Sequence, residues 1–409
     1  MATDEEGAIG RPVSTLGILG AGTMGAGIAQ AAVEAGIEVL VHDPVPGSVA
    51  RARDRISGFL LRKVEKGTLN SESADRALRR IREAADIPAL AMADAVIEAI
   101  PEDLALKREV FTALDAAAPT EAPLLTNTSS LSVASIAAAT RHPERVAGMH
   151  FFNPVPLMQL VEVVAGPRTA PVTVSAASVL AERLGKTPVV AADMPGFIVN
   201  RVQRALYLEA YRMLADGTPI NAIDDALRGI GFRLGPFELA DLVGTDVNLA
   251  AGKAIHAGFF GDPRYRPLPI QQRVVDAGRL GRKTFGGYYD YGTDGARGAP
   301  WSGATVPQVH GIAALPPPQI EARALASIVN EAASAVADGV AAPVDIDRAM
   351  QLAANWPHGP LAWGERIGLR QVVNALDGLH GSAPDGRYRV TPLLRALADD
   401  GGSFFTEEG

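Results

Sequence analysis

The sequence contains no cysteine. Disulfides, cysteine metal sites and thiol nucleophiles are therefore excluded. No apolar run is long enough to span a bilayer. The first dozen residues, MATDEEGAIGRP, are acidic and polar, unlike a signal or transit peptide. Cationic excess is lacking too: 38 Lys and Arg stand against 46 Asp and Glu, a formal net charge of -8. That balance argues against broad nucleic-acid or membrane-surface binding. A reduced, cytoplasmic setting is expected, with no membrane or nucleic-acid partner and no metal.

What is present is ordinary for a globular chain. The 409 residues, 47% hydrophobic and 21% charged, allow two or three domains. Thr15 to Leu19 reads as a short apolar strand, followed at once by Gly20, Ala21, Gly22, Thr23, Met24 and Gly25. A helix comes next, with Met24, Ile28, Ala32 and Val33 on one side. Gly36 stops it, and a second strand over Ile37 to Val41 ends at His42 and Asp43. This is the strand, glycine turn, helix, strand and acid of a dinucleotide-binding unit. Gly20 makes the tight turn, Gly22 admits a pyrophosphate to the backbone, and Gly25 lets helix and strand pack. The helix N-terminus offers N–H groups and a positive dipole end to the phosphates. Asp43 can accept hydrogen bonds from a ribose 2′-hydroxyl and would repel a 2′-phosphate, and Pro44 and Val45 bring no arginine. NAD is favoured over NADP.

Residues 49 to 67 read as a basic helix with Arg51, Arg55, Arg62 and Lys66 within roughly 60° of one another. The row either meets the phosphates of a second ligand or is a solvated face. Ala95 to Ile100 reads as a buried strand, after which Glu102 and Lys107 open a helix at the sheet's carboxyl edge. Compensation of the helix dipole explains Glu102 and Asp103 equally well. Leu124 to Thr126 is another strand, with Asn127 to Leu131 (NTSSL) and a helix through Ala139 behind it. Ser129 and Ser130 suit an N-cap, or else present a hydroxyl near a bound nicotinamide.

From Gly148 to Val164 the chain reads GMHFFNPVPLMQLVEVV. Glu162 lies in an apolar, strand-like run, where a lone charge is costly and needs a partner. Pro154 and Pro156 force a turn that can fold Glu162 back to His150. A histidine held by a carboxylate is a general base with fixed tautomer and orientation. A core histidine beside an edge-strand glutamate is the plainer alternative. A last strand near Thr187 to Ala191 completes the sheet, and Met194, Pro195 and Gly196 mark a break. In the helical stretch PGFIVNRV that follows, Asn200 is either a surface residue or a polar group aimed across the junction.

Residues 292 to 318 are rich in Gly and Pro and read as a linker. An imperfect repeat follows. GPLAWGERIG at Gly359 echoes GPFELADLVG at Gly235, and VDIDRAM at Val344 echoes NAIDDAL at Asn221. The repeat lacks a counterpart of Asn200 and reads as a structural copy without catalytic residues.

These motifs resemble the L-3-hydroxyacyl-CoA dehydrogenase family over about residues 14 to 292, with the repeat similar to the extra helical half of longer members. NTSSL, GMHFFNPV, LVEVV and PGFIVNRV occur in family order and spacing. The resemblance implies an α/β Rossmann-type NAD-binding domain (13–193) and an all-α C-terminal domain (194–292). A linker (293–318) and a second, degenerate helical repeat (319–409) complete the division. It implies His150 as general base with Glu162 its partner, and Ser129 and Asn200 on the reacting oxygen. The glycine turn with Thr23 and Met24, and Asp43, Glu102, Lys107, Ser129, Asn153 and Lys283, would contact NAD. Lys66 would contact the coenzyme A of an acyl-CoA substrate, although Phe59 stands where the family has a coenzyme-A-contacting serine. The expected reaction is NAD-dependent oxidation of (S)-3-hydroxyacyl-CoA, in fatty-acid or aromatic-acid degradation. The competing expectations are a free hydroxy-acid or sugar-acid dehydrogenase like lambda-crystallin, and a dinucleotide-binding sensor without turnover. Either a monomer with an internal pseudo-dimer or a homodimer is expected.

Overall fold

A computed structural model describes residues 13–304 and 314–405. The acidic N-terminal stretch and part of the expected linker lie outside the described residues. The chain divides between Phe197 and Ile198 into two compact units.

The first unit opens with β1 (Thr15–Leu19), α1 (Thr23–Glu34), β2 (Glu38–His42), α2 (Ser48–Glu65), α3 (Ser71–Arg79) and β3 (Ile81–Glu83). It continues with α4 (Ile87–Leu90), β4 (Ala95–Glu98), α5 (Leu104–Ala117), β5 (Leu124–Thr126) and α6 (Val133–Ala137). It closes with β6 (Val146–Phe151), β7 (Leu160–Ala165), α7 (Pro171–Arg183) and β8 (Thr187–Ala192). The eight strands form one sheet in the order β3-β2-β1-β4-β5-β6-β7-β8. β3 to β6 and β1, β2 pair in parallel, β6 and β7 are antiparallel, and β7 and β8 are parallel. Strands covered on both faces read as unbroken apolar runs, and every residue of β4, β5 and β6 is buried. The order reverses between β1 and β4, which places a crevice outside their carboxyl ends.

The second unit is helical: α8 (Val199–Ala215), α9 (Ile220–Gly229), α10 (Pro236–Val243), α11 (Thr245–Gly258) and α12 (Pro269–Asp276). A hairpin of β9 (Tyr289–Tyr291) and β10 (Arg297–Pro300) follows. Then come α13 (Pro317–Ala337), α14 (Pro343–Ala354), α15 (Pro360–Ile367), α16 (Leu369–Ser382) and α17 (Pro392–Asp400). The second strand of the hairpin lies within the stretch expected as a linker. Arg297 ion-pairs with Glu238 at 2.8 Å, and Trp301 N–H donates to Tyr288 O at 2.7 Å, so this Gly-rich stretch folds back onto the unit.

The two halves repeat one design. Asp224 accepts the Phe237 and Glu238 N–H groups at the start of α10, and Asp347 accepts those of Leu361 and Ala362 at the start of α15. A Cβ on Gly235 would lie 2.2 Å from Asp224 Cγ, and one on Gly359 2.1 Å from Asp347 Cγ. Only glycine lets the capping carboxylate come this near. The halves also hold each other reciprocally. Arg201 pairs with Glu331 and Asp338, each at 2.6 Å. Arg323, 122 residues further on, pairs with Glu209 and Asp216, which precede Glu331 and Asp338 by that same interval. Tyr265 O–H donates to Glu331, and Tyr388 O–H to Glu209. The described residues of 198–292 and 319–405 lie in one compact unit, in which α8 and α13 exchange these buried ion pairs.

Candidate active site

His150 is the last residue but one of β6, and the antiparallel register puts Glu162 of β7 directly opposite it. Their side chains meet at 2.6 Å between His150 Nδ1 and Glu162 Oε2. Glu162 is fully buried and His150 6% exposed. A carboxylate only accepts, so Nδ1 carries the proton and donates it, which leaves the Nε2 lone pair as the basic site. The rings of Phe152 and Phe197 lie 4.5 and 5.9 Å from the imidazole. Such apolar neighbours limit water around it.

A second cluster stands at the carboxyl ends of β4 and β5. Glu98, fully buried, accepts Lys107 Nζ at 2.6 Å and Ile100 N–H on Oε1, and Thr126 O–H on Oε2. Lys107 is fully buried as well and lies 3.3 Å from Glu102 Oε2. Glu102 Oε1 gathers the turn after β5, accepting from Thr128 O–H, the Ser129 and Ser130 N–H groups and Ser130 O–H. Burial raises the Glu102 pKa, but the Lys107 charge and these hydrogen bonds outweigh it and hold the carboxyl below its ordinary value. Glu102 therefore stays ionised near neutrality and fixes the Ser129 turn. Asn127 Oδ1 accepts the Phe151 N–H at 2.9 Å, so the same turn is tied to the strand that carries His150. The structure thus brings His150, Glu162, Ser129, Glu102 and Lys107 to one edge of the sheet. Sequence reading assigned Glu98 and Asn127 no role; a buried acid at a strand end was the available sign.

Two glycines of the turn are required by its backbone. Gly20 has φ +100°, and a Cβ there would lie 2.6 Å from Ala99 O. A Cβ on Gly25 would lie 1.9 Å from Gly20 O. At Gly22 a Cβ meets nothing within 4 Å, so the space over the α1 N-terminus is open. Gly22 is the N-cap and supplies no side-chain cap, with Thr23 and Met24 beginning the helix. An open cradle at a helix N-terminus fits a pyrophosphate. Asp43 holds the turn from the end of β2, accepting the Ala21 and Val45 N–H groups at 2.8 and 2.9 Å.

The basic row on α2 is divided. Arg55 donates to Ala21 O at 2.7 Å, Arg51 to Ser48, and Arg62 stacks 4.4 Å from the half-exposed Phe59 ring. Lys66 ends the helix and is exposed, as is Asn153 beyond β6. Asn200 and Lys283 belong to the helical unit: Asn200 is in the first turn of α8, and Lys283 pairs with Asp246 at 2.7 Å. Among the described residues, no group of three or more His, Asp or Glu could hold a metal, and no helix is long and apolar enough to cross a membrane.

The chain is similar to proteins already known. Residues 15–194 match the NAD binding domain of 3-hydroxyacyl-CoA dehydrogenase, and residues 196–291 and 320–403 match its C-terminal domain. The 3-hydroxyadipyl-CoA dehydrogenase of Escherichia coli K12 is 37% identical, the match covering 94% of this chain and 98% of that one. A probable 3-hydroxybutyryl-CoA dehydrogenase of Bacillus subtilis is 41% identical, over 67% of this chain and 96% of its own length. The crystal structure of an Escherichia coli K12 3-hydroxybutyryl-CoA dehydrogenase superposes with TM-score 0.87 at 37% identity, covering 95% of this chain and 98% of that one. The chain belongs to the 3-hydroxyacyl-CoA dehydrogenase family, NAD-dependent oxidoreductases, and its first unit is that family's NAD-binding domain.

Proposed function

We propose that the chain reversibly oxidises an (S)-3-hydroxyacyl-CoA to the 3-oxoacyl-CoA in fatty-acid or aromatic-acid degradation, with His150 as general base. The observation that carries this is the 2.6 Å contact of His150 with a fully buried Glu162. Neutral His150 takes the hydroxyl proton on Nε2, and Glu162 stabilises the imidazolium that forms. Bound NAD supplies the hydride acceptor. Ser129, on a turn fixed by Glu102, hydrogen-bonds the substrate oxygen as alcohol becomes ketone. By family resemblance Asn200 shares that role, Asn153 and Lys283 contact NAD, and Lys66 contacts coenzyme A. The open space at Gly22 supports the placing of the pyrophosphate, and Asp43 supports NAD over NADP.

The reverse reaction is the direct test. NADH oxidation followed at its absorbance band is expected with acetoacetyl-CoA and absent with free acetoacetate. Equal rates with the free acid would favour the hydroxy-acid or sugar-acid alternative, and no rate with either would remove the dehydrogenase assignment.

We propose too that the protein is a monomer whose two helical halves act as an internal pseudo-dimer. The reciprocal Arg201–Glu331 and Arg323–Glu209 pairs have the pattern of an isologous two-fold interface. That surface is occupied within one chain. Scattering or sedimentation is expected to give a mass near 42.7 kDa. A tight dimer at sub-micromolar concentration overturns it. NAD and acyl-CoA pools are intracellular solutes, which supports a cytoplasmic setting.

A further inference from the structure

Residues 152–159 join β6, which carries His150, to β7, which carries Glu162. They belong to the site, since the Phe152 ring lies 4.5 Å from the imidazole. Pro154 and Pro156 bring no N–H, so the segment has few donors of its own. Pro154 O accepts the Leu157 and Met158 N–H groups at 2.9 and 3.1 Å. The carbonyls of Val155, Met158 and Gln159 are met from outside the segment.

Those donors come from the corner between α7 and β8. Lys186 Nζ donates to Val155 O at 2.5 Å and to Met158 O at 2.9 Å, and the Thr187 N–H donates to Gln159 O at 2.8 Å. The corner is itself fixed. Gly185 has φ +71°, its N–H donates to Glu182 O, and the Lys186 N–H donates to Ala181 O. A helix end closed in this way by a left-handed glycine gives the lysine a rigid base. On its other side the segment meets α1, the helix behind the glycine turn. Val155 is buried there, and a Cβ on Gly27 would lie 2.9 Å from Val155 Cβ. Burial pushes the Lys186 ammonium below its ordinary value, and the charge of Glu34 offsets this only in part. An ammonium kept under that penalty has one use in this geometry, which is to hold two carbonyls.

We propose that Lys186 is a positioning residue for the dehydrogenase reaction: it clamps residues 152–159 between α1 and β8 and so holds Phe152 against His150. This rests on the reading of His150 as general base.

Lys186→Met keeps most of the side chain's length and removes its donors. In the acetoacetyl-CoA assay its kcat is expected to fall roughly tenfold to a hundredfold, up to the loss that a misplacement of about 1 Å can cause. KM for acetoacetyl-CoA is expected to stay near the wild-type value, because the clamp serves the step in which the proton moves. A lysine with only a structural role would change the amount of folded protein and not kcat per folded molecule. In hydrogen exchange, residues 152–159 are expected to lose protection while β1 and α1 keep theirs. The absence of cysteine from the chain permits a rescue. Lys186→Cys is expected to share the defect. Alkylating the new thiol with 2-bromoethylamine forms a C–S bond, releases bromide and rebuilds an ammonium of nearly lysine length. A surface cavity of about 320 Å³, lined in part by Glu34, Pro156, Arg183 and Lys186, gives the reagent access. Recovery of kcat with the ammonium is expected, and it decides the matter if Lys186→Met does not fold. Wild-type kcat in either variant, unchanged exchange in 152–159, or complete alkylation without recovery overturns the proposal. Absence of turnover in the wild-type protein instead removes the underlying reading of His150.

Discussion

Replacing His150 with Gln is expected to lower turnover by about 10²–10⁴-fold, the usual contribution of a positioned general base. Glutamine is close in reach and can donate its amide to Glu162, so the buried carboxylate keeps a partner and the strand pair stays intact. What is lost is the imidazole lone pair that takes the substrate proton. Affinity for NADH, read by fluorescence, is expected to stay near the wild-type value, because the glycine turn stands on β1 and α1 rather than on β6. Turnover unchanged in this variant, in the acetoacetyl-CoA assay, would take His150 out of the mechanism.

Substituting Lys107 by Met is expected to cost about 3–5 kcal/mol, the penalty for leaving one partner of a buried ion pair alone. Lys107 and Glu98 are both fully buried and 2.6 Å apart. With the ammonium gone, Glu98 keeps only its hydrogen bonds from Ile100 and Thr126. Adding Glu98→Gln removes the stranded charge but keeps an oxygen for those donors, so the double variant is expected to regain most of the loss. Denaturant midpoints of the two variants and the wild type measure this. A single variant within 1 kcal/mol of wild type would show that the pair is not a keystone of the unit.

Gly20 and Gly25 could be foreseen because each answers a local backbone demand that only glycine meets. The His150–Glu162 contact was foreseeable because a carboxylate inside LVEVV has to find a partner, and the prolines between them confine the choice. The burial of Lys107 was not legible. Nothing local distinguishes a lysine that will be wholly buried from one in a helix's solvated first turn; its partner Glu98 arrives from the preceding strand. The neighbours of the basic row on α2 were not legible for a related reason. Charge periodicity gives a face but not its neighbour, and Arg55 is spent on the carbonyls of Ala21 and Gly22. The repeat could be seen in its glycine–proline corners, whereas the reciprocal arginine pairs appear only when α8 and α13 lie together.

Two identical copies joined about a symmetry axis must accept every interface mutation twice, because one gene writes both sides. Joined in tandem, the halves of this bundle are free to drift separately. They have done so: Arg212 and Asn200 correspond by position to Ser334 and Ala322, while the arginine–glutamate pairs survive on both sides. A tandem arrangement thus lets the two halves diverge while the ion pairs between them keep the fit.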